Sequence, residues 1–354
     1  MSQWRIRPPR PPAPESPYAR GEPPLPYPEG WFVLAPSRDV KPGQVVIRRF
    51  MGEDVVVYRT ARGRVRATRP YCPHLGAHLG HGGRVAGETI VCPFHGFAFD
   101  ATGTAVCAGP GYTGLPVQER LAVLDCEEVN GVILAWYGHD PNRPPAWTIP
   151  PLLRVPAHDM RFTRTTVASH PQETGENTVD SGHAEALHGF TGIDMHTPPV
   201  ADKHQLSLAL TVTRRYPPLG TIAADIAFTF HGLGFIHLEL RVPVRGLSVD
   251  VVVSPRPTAP WQVELLVGTA MAVHPGEGPL GRLPRSAARL ACWTATWLNL
   301  RALSSDTSAD LPIWTAKRYT DPPRLAPGDG PIGPYRKWAR QFYPDTAAQP
   351  GPEN

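Results

Sequence analysis

No uninterrupted apolar run in this sequence approaches the roughly 18 residues that a helix needs to cross a bilayer. The nearest candidate, residues 290–300, is short and bracketed by Arg289 and Arg301. The N-terminus lacks the apolar core of a secretory signal, so a cytoplasmic protein with no transmembrane segment is expected. Lysine is scarce, present only at 41, 203, 317 and 337, and no block of basic residues stands out. With a net charge of +4, the chain has no electrostatic footprint for nucleic acid. Cysteine is sparse as well: five residues, an odd number, scattered along the chain. That argues against a disulfide framework and makes metal ligation the better question. Charged residues are only 19%, too few for a disordered solvating chain, while 41% apolar residues can build a core.

Proline, by contrast, is in excess: 44 of 354 residues, ten of them before residue 30. Residues 1–30 can therefore form neither a helix nor a central strand, and read as an extended arm, disordered or laid over a neighbouring surface. From residue 31 the pattern changes to short β-branched runs (45–47, 55–58, 131–137) separated by Gly-rich turns, with no helical periodicity. This predicts an all-β domain over 31–145, leading into a proline-rich joint at 141–156. The segment 171–190 is polar, with helix-compatible spacing. Leu206, Leu208, Leu210 and Val212 then share one strand face, as do Ile236, Leu238, Leu240 and Val242. Further strands fit 247–254 and 262–273, and a helix fits 285–303. Residues 146–345 thus predict an α+β domain, an antiparallel sheet packed on helices, followed by a short tail at 346–354.

Two clusters of potential ligands stand out. The first is Cys72, His74, Cys92 and His95: C-x-H, seventeen intervening residues, then C-x-x-H. Two thiolates and two imidazoles on tight loops can hold a structural zinc or a [2Fe–2S] cluster with mixed ligands. A zinc finger usually pairs its cysteines on one loop and its histidines on a helix, whereas each loop here offers one of each. That suits a cluster with one iron on the Cys pair and the other on the His pair.

Cys72-Pro73-His74-Leu75-Gly76 and Cys92-Pro93-Phe94-His95-Gly96 resemble the Rieske iron–sulfur motif. The resemblance implies that Cys72 and Cys92 bind one iron, and His74 and His95 the other. Respiratory Rieske proteins add a cysteine to each loop, joined as a disulfide; Ala77 and Phe94 stand there instead, as in the oxygenase and ferredoxin type. Cys107, Cys126 and Cys292 have no partners at ligand spacing and read as buried structural thiols.

The second cluster runs from Glu176 to His188. Two histidines and a carboxylate on one face of Fe(II) leave positions open for dioxygen and substrate. His183 and His188, five apart, lie ~140° from each other on an ideal helix, so a bulge or helix end is required between them. The spacing of Asn177, Asp180, His183 and His188 resembles the catalytic motif of Rieske non-haem iron oxygenases. By that resemblance His183 and His188 bind the mononuclear iron, and Asn177 lies close to it. Asp180 hydrogen-bonds a cluster-ligating histidine of a neighbouring subunit, as part of the electron path. Glu176 and Glu185 read as solvated helix surface. The segment 310–317, Asp-Leu-Pro-Ile-Trp-Thr-Ala-Lys, is similar to the family's C-terminal segment, which makes Asp310 the third ligand and Asp306 its rival.

The resemblance runs from about residue 27 to 343. Segments 26–31, 71–80, 83–85 and 328–343 are most similar to the ketosteroid 9α-hydroxylases and cholesterol 7-desaturases. It implies an N-terminal Rieske [2Fe–2S] domain followed by a helix-grip, START-like catalytic domain, assembled as a homotrimer. The implied cofactors are the cluster and mononuclear Fe(II), with O2 as co-substrate and NAD(P)H electrons arriving through a ferredoxin and/or flavin reductase. The implied reaction is hydroxylation, desaturation or dealkylation of a large apolar substrate, steroid-like or polycyclic. Phe97, where a Trp is common, and the run 107–110 depart from the pattern. The competing readings are an arene dioxygenase α subunit, a Rieske electron-transfer protein with an inactive second domain, and an apolar-ligand binding protein.

Overall fold

The computed structural model describes Tyr18 and residues 23–115, 120–216, 220–242 and 246–344. Most of the proline-rich arm and the whole 346–354 tail lie outside the described residues. Where the arm is described, it touches both halves of the chain: Tyr27 packs on Tyr137 and the first-half core, and its other contacts reach the second half. The Tyr18 hydroxyl accepts the Tyr319 N–H at 2.8 Å, and the Pro26 carbonyl lies 3.1 Å from His170 Nε2.

Residues 30–137 form three small antiparallel sheets. Gly30–Pro36 pairs with Val132–Tyr137, which also pairs with Cys126–Val129. Val45–Phe50, Glu53–Arg59, Val65–Thr68 and Val123–Leu124 make a second sheet. A third, over Arg84–Ala86, Thr89–Val91, Ala98–Phe99 and Ala105–Cys107, frames the second Cys/His loop. The β-branched run Val55-Val56-Val57 is fully buried, packing alternately into two apolar clusters as a period of two requires.

The second half is one seven-stranded antiparallel sheet. Its spatial order is Arg161–Val167, Gln262–Val273, Leu247–Ala259, Phe235–Val242, Gly220–His231, Gln205–Tyr216 and Phe190–Asp202. The two alternating runs read from the sequence belong to one face. Leu206, Leu208 and Leu210 stand opposite Phe230, Phe228 and Ile226, and these in turn stand opposite Ile236, Leu238 and Leu240. Cross-strand apolar pairs of this kind pin the register, because a slip of one residue would turn the whole set to the other face.

Among the described residues four α-helices accompany the sheet: α1 (Pro171–Val179), α2 (Ser181–His188), α3 (Arg285–Ala316) and α4 (Ile332–Ala339). Tyr335 and Trp338 of α4 pack against the Leu206–Phe230 face. Helix α3 is a correction to the sequence reading, which ended it at 303. In the polar run 304–309 a tertiary contact replaces the lost apolar pattern: Asp306 is bound by Arg214 of the sheet at 2.7 and 3.0 Å. Pro312 lies inside the helix, four residues from its end.

The two halves share a core. Trp31, Val33, Leu134 and Trp136 from the first pack with Phe235, Val252, Leu266 and Ala270 from the second, and with Ile149 of the joint. Trp31 Nε1 donates to the Trp147 carbonyl at 2.6 Å. Burying each large apolar side chain of this set is worth about 1.5–3 kcal/mol, so the halves are fixed to each other and not merely tethered.

Candidate metal centres

The two Cys/His loops are built alike. In the first, the Cys72 N–H donates to the Ala77 carbonyl at 2.9 Å, and the Gly76 N–H donates back to the Cys72 carbonyl at 2.9 Å. In the second, the Cys92 and Gly96 amides repeat the pattern with Phe97 and Cys92 at 2.9 and 3.1 Å. The reversal needs a left-handed residue, which Gly76 (φ 71°) and Gly96 (φ 76°) supply. The loops bring the donors together as two pairs. Cys72 and Cys92 are both 2% exposed and adjoin each other. His74 Nδ1 and His95 Nδ1 are 3.2 Å apart on the outer side.

The pairing discriminates between the two metal readings. A single tetrahedral ion would draw all four donors to within about 4 Å of one another, from bonds of 2.0–2.3 Å. Among the described residues, only His183, His188 and Asp310 converge as three donors within 4.8 Å. Two separate pairs fit a two-iron cluster. Burial pushes the Cys72 thiol up to about 11, a cost that a bound metal removes by holding the thiolate.

A third loop, 107–112, completes this site. A Cβ on Gly109 would sit 1.5 Å from the His95 carbonyl oxygen, so only glycine permits the approach. Tyr112 then stands edge-on to both His74 and His95, at 5.8 and 5.7 Å, and Phe97 lies 4.9 Å from His74. Tyr112 escaped the sequence reading; the unusual Gly109-Pro110-Gly111 turn before it was the available signal. Around the His pair, Tyr71, Leu75 and Phe94 are each more than 60% exposed. Cys107 is exposed, not buried as expected, because it sits at the end of an edge strand. All five cysteines are free.

The second site forms where α1 breaks into α2. Asp180 ends the first helix and caps the second, its Oδ1 accepting the His183 N–H at 3.2 Å. The His183 Nδ1 lies 2.6 Å from the Asp180 carbonyl, so it carries the proton, and Nε2 presents its lone pair. The Asn177 side-chain amide donates to that lone pair at 2.9 Å. His188 is the last residue of α2, before left-handed Gly189 (φ 68°). The helix end thus resolves the five-residue spacing: His183 and His188 meet edge-on at 5.1 Å between ring centroids.

Asp310, from α3, faces both. Its Oδ1 is 3.2 Å from His188 Nε2 and 4.0 Å from His183 Nε2. Burial pushes its carboxyl up to about 6, against the opposing pull of His183 and an Asn177 hydrogen bond. The three donor atoms lie within 4.8 Å of one another, and a divalent ion there would neutralise the buried carboxylate while engaging all three. Asp306 is placed behind the site. Arg214 holds it bidentately at 2.7 and 3.0 Å, and it lies 4.0 Å from His188 Nδ1, the nitrogen turned away from Asp310. A cavity of about 280 Å³ opens onto the group, lined by Asn177, Asp180, His183, Asp310, Trp314 and Lys317 among others.

Behind α1 lies an ion network the sequence reading missed. Glu176 is 6% exposed, not solvated, and Arg336 of α4 donates to both its oxygens, Nη2 to Oε1 at 2.9 Å. Glu173, 1% exposed, meets Lys317 at 2.8 Å. These pairs tie α1, which carries Asn177, to α4 and to the end of α3. Glu185 is exposed, as expected.

Comparison with known proteins agrees with this geometry. Residues 30–118 match the Rieske [2Fe-2S] domain, and residues 135–343 match the 3-ketosteroid 9alpha-hydroxylase C-terminal domain. The chain is 26% identical to the cholesterol 7-desaturase of Xenopus laevis, over 93% of this chain and 75% of that protein. It is 27% identical to the probable 3-ketosteroid-9-alpha-monooxygenase oxygenase component of Rhodococcus rhodochrous, over 92% and 82% respectively. Its fold is similar to that of NdmA of Pseudomonas putida CBB5 with caffeine (TM-score 0.65, 16% identity, 88% of this chain and 89% of that one). Dicamba monooxygenase bound to dicamba is also similar (TM-score 0.61, 15% identity, 88% and 96%).

Proposed function

The chain belongs to the Rieske non-haem iron oxygenases, with a catalytic part of the 3-ketosteroid 9alpha-hydroxylase type, and on that premise we propose that it oxidises a large, apolar, steroid-like substrate. As the oxygenase component of such a system, it is an oxidoreductase that uses dioxygen and NAD(P)H-derived electrons delivered by a ferredoxin or reductase partner. The observation that carries the reading is the convergence of His183, His188 and Asp310 beside one cavity, in a chain that also holds the two Cys/His loops. The names of its relatives, a cholesterol desaturase and a ketosteroid monooxygenase, support the substrate class.

In this proposal Cys72 and Cys92 hold one iron of the cluster, His74 and His95 hold the other, and His183, His188 and Asp310 hold the mononuclear iron. When bound, these groups supply single electrons and the activation of dioxygen against a C–H bond. The chain's own residues set the geometry. Asp180 fixes the His183 tautomer through its carbonyl, and the Asn177 amide donates to the His183 Nε2 that would hold the iron. Asp180 is only partly buried and lines the cavity, which suits its role as the bridge to a cluster histidine of a neighbouring subunit. A homotrimer, a division near residue 146 and a cytoplasmic location belong to the same proposal. Among the described residues, no helix is long and apolar enough to cross a membrane.

A single-turnover assay tests it. The iron-loaded protein, reduced chemically and then exposed to dioxygen with a 3-ketosteroid or a sterol, should yield a hydroxylated or desaturated product. Product from neither, with turnover of a small arene instead, would overturn the steroid reading and favour the arene dioxygenase.

A further inference from the structure

The helix that supplies Asp310 also carries a face that the catalytic site does not use. Along α3, Leu290 (65% exposed), Trp293 (53%), Trp297 (44%) and Leu298 (64%) stand in solvent. Thr296 and Leu300, at the edge of this face, turn into the protein, and Asn299 donates to the Thr269 hydroxyl at 2.9 Å, so the helix is docked along that edge. Leu290, Trp293 and Trp297 fall within about 60° of one another on a helix of 3.6 residues per turn. They form one stripe, in which the two indoles meet edge-on at 6.3 Å. A stripe of two Trp and one Leu, with Leu298 exposed at its flank, differs from the scattered apolar residues of an ordinary surface.

Charge around the stripe has one sign. Arg282, Arg285, Arg289 and Arg301 are exposed, and none has an ion-pair partner among the described residues. From residue 278 to 305 the sequence contains no Asp or Glu. A two-fold contact with a second copy of the chain would set these arginines against their own kind. The chain's own N-terminal arm is no better complement, with Arg5, Arg7, Arg10 and Arg20 against Glu15 and Glu22. An anionic lipid surface supplies both missing halves: phosphates for the guanidinium groups, and a headgroup boundary in which Trp and Leu side chains settle.

We propose that the outer face of α3 docks reversibly on an anionic lipid bilayer, with the helix lying in the plane of the surface. Arg289 and Arg301 bracket the stripe at the headgroup level, and the helix does not insert. The thirteen residues from Trp297 to Asp310 span about 20 Å of helix. The metal site therefore lies one short helical segment from the lipid. The proposal stands on the surface residues and does not depend on the steroid reading.

Co-sedimentation of the full-length protein with vesicles tests it. The protein should bind phosphatidylglycerol–phosphatidylcholine vesicles, release as salt rises, and ignore pure phosphatidylcholine. Trp293→Ser with Trp297→Ser should weaken binding by roughly tenfold or more. Arg285→Gln with Arg289→Gln should weaken it too, and flatten its salt dependence. Circular dichroism and iron content matching the parent establish that each variant is folded. Equal affinity for both vesicle types, no binding to either, or tight binding retained by both variants would overturn the proposal. So would a fall in oligomeric mass by light scattering in the Trp variant with vesicle binding unchanged, which would make the stripe a self-interface.

Discussion

Asp310 Oδ1 stands 3.2 Å from His188 Nε2 across the gap between α3 and α2, although the whole seven-stranded sheet, save its first strand, separates them in sequence. The pair draws together a site whose two histidines lie on one short helix and whose carboxylate lies on another. Asp310→Ala should therefore lose the mononuclear iron and keep the cluster. Iron to acid-labile sulfide, after anaerobic Fe(II) loading, should fall from about three to two to about two to two. An unchanged ratio would remove Asp310 from the ligand set.

Asp306 should behave differently. Its carboxylate is taken by Arg214 and backs His188 on the far side from Asp310. Partners that orient a metal-bound imidazole typically change metal affinity by about 10–100-fold. Asp306→Asn should weaken Fe(II) binding within that range in an iron titration, where Asp310→Ala abolishes it.

Asp180→Asn keeps the cap geometry and the carbonyl that holds His183. Both metals should stay bound, while turnover driven by a reductase drops by orders of magnitude. Turnover equal to the parent would sink the electron-bridge assignment.

Glu176 and Arg336 form a nearly buried ion pair, and removing one partner strands the other. Glu176→Ala should cost about 3–5 kcal/mol, read as a lower urea midpoint. Arg336→Met added to it should recover part of the loss, since no unpaired charge then remains. Loss of stability from the double variant equal to the sum of both singles would show that the two side chains act separately.

Two buried histidines predict acid sensitivity. Burial lowers both His170 and His231 from 6.5 to about 4, so each is neutral in the folded chain. Between these values the unfolded chain binds more protons, and stability is full above pH 6.5 and is lost as pH falls toward 4. At pH 5 the loss is about 2 kcal/mol for each histidine. Neither ring nitrogen of His231 has a hydrogen-bond partner among the described residues. His231→Phe should therefore flatten the fall in urea midpoint between pH 7 and pH 5, and an unchanged slope would exclude His231 as a contributor.

Much of the chemistry was legible because it is local. Each Cys/His loop closes within six residues, and His183 and His188 share one helix, so ligand spacing is written directly in the chain. The alternating strand faces were legible for the same reason, since a period of two is a property of neighbours. What the sequence left open was set by distant partners. Glu176 sits in a polar helical run and looks solvated; Arg336 of α4 buries it. Cys107 looks like a core thiol, and the edge strand that carries it leaves it exposed. The polar stretch 304–309 looks like the end of a helix, and Arg214 from a distant strand holds Asp306 within it.

The choice between Asp306 and Asp310 shows the boundary most sharply. The two lie four residues apart on α3, only ~40° from each other around the helix, so no spacing argument separates them. Sequence by itself determined the four-residue spacing of the pair and, through its resemblance to the family's C-terminal segment, put forward Asp310 with Asp306 as its rival. The tertiary structure separates them, because Arg214 of a sheet strand neutralises Asp306 while Asp310 is buried beside His183 and His188, and that difference in surroundings supports Asp310 as the proposed ligand.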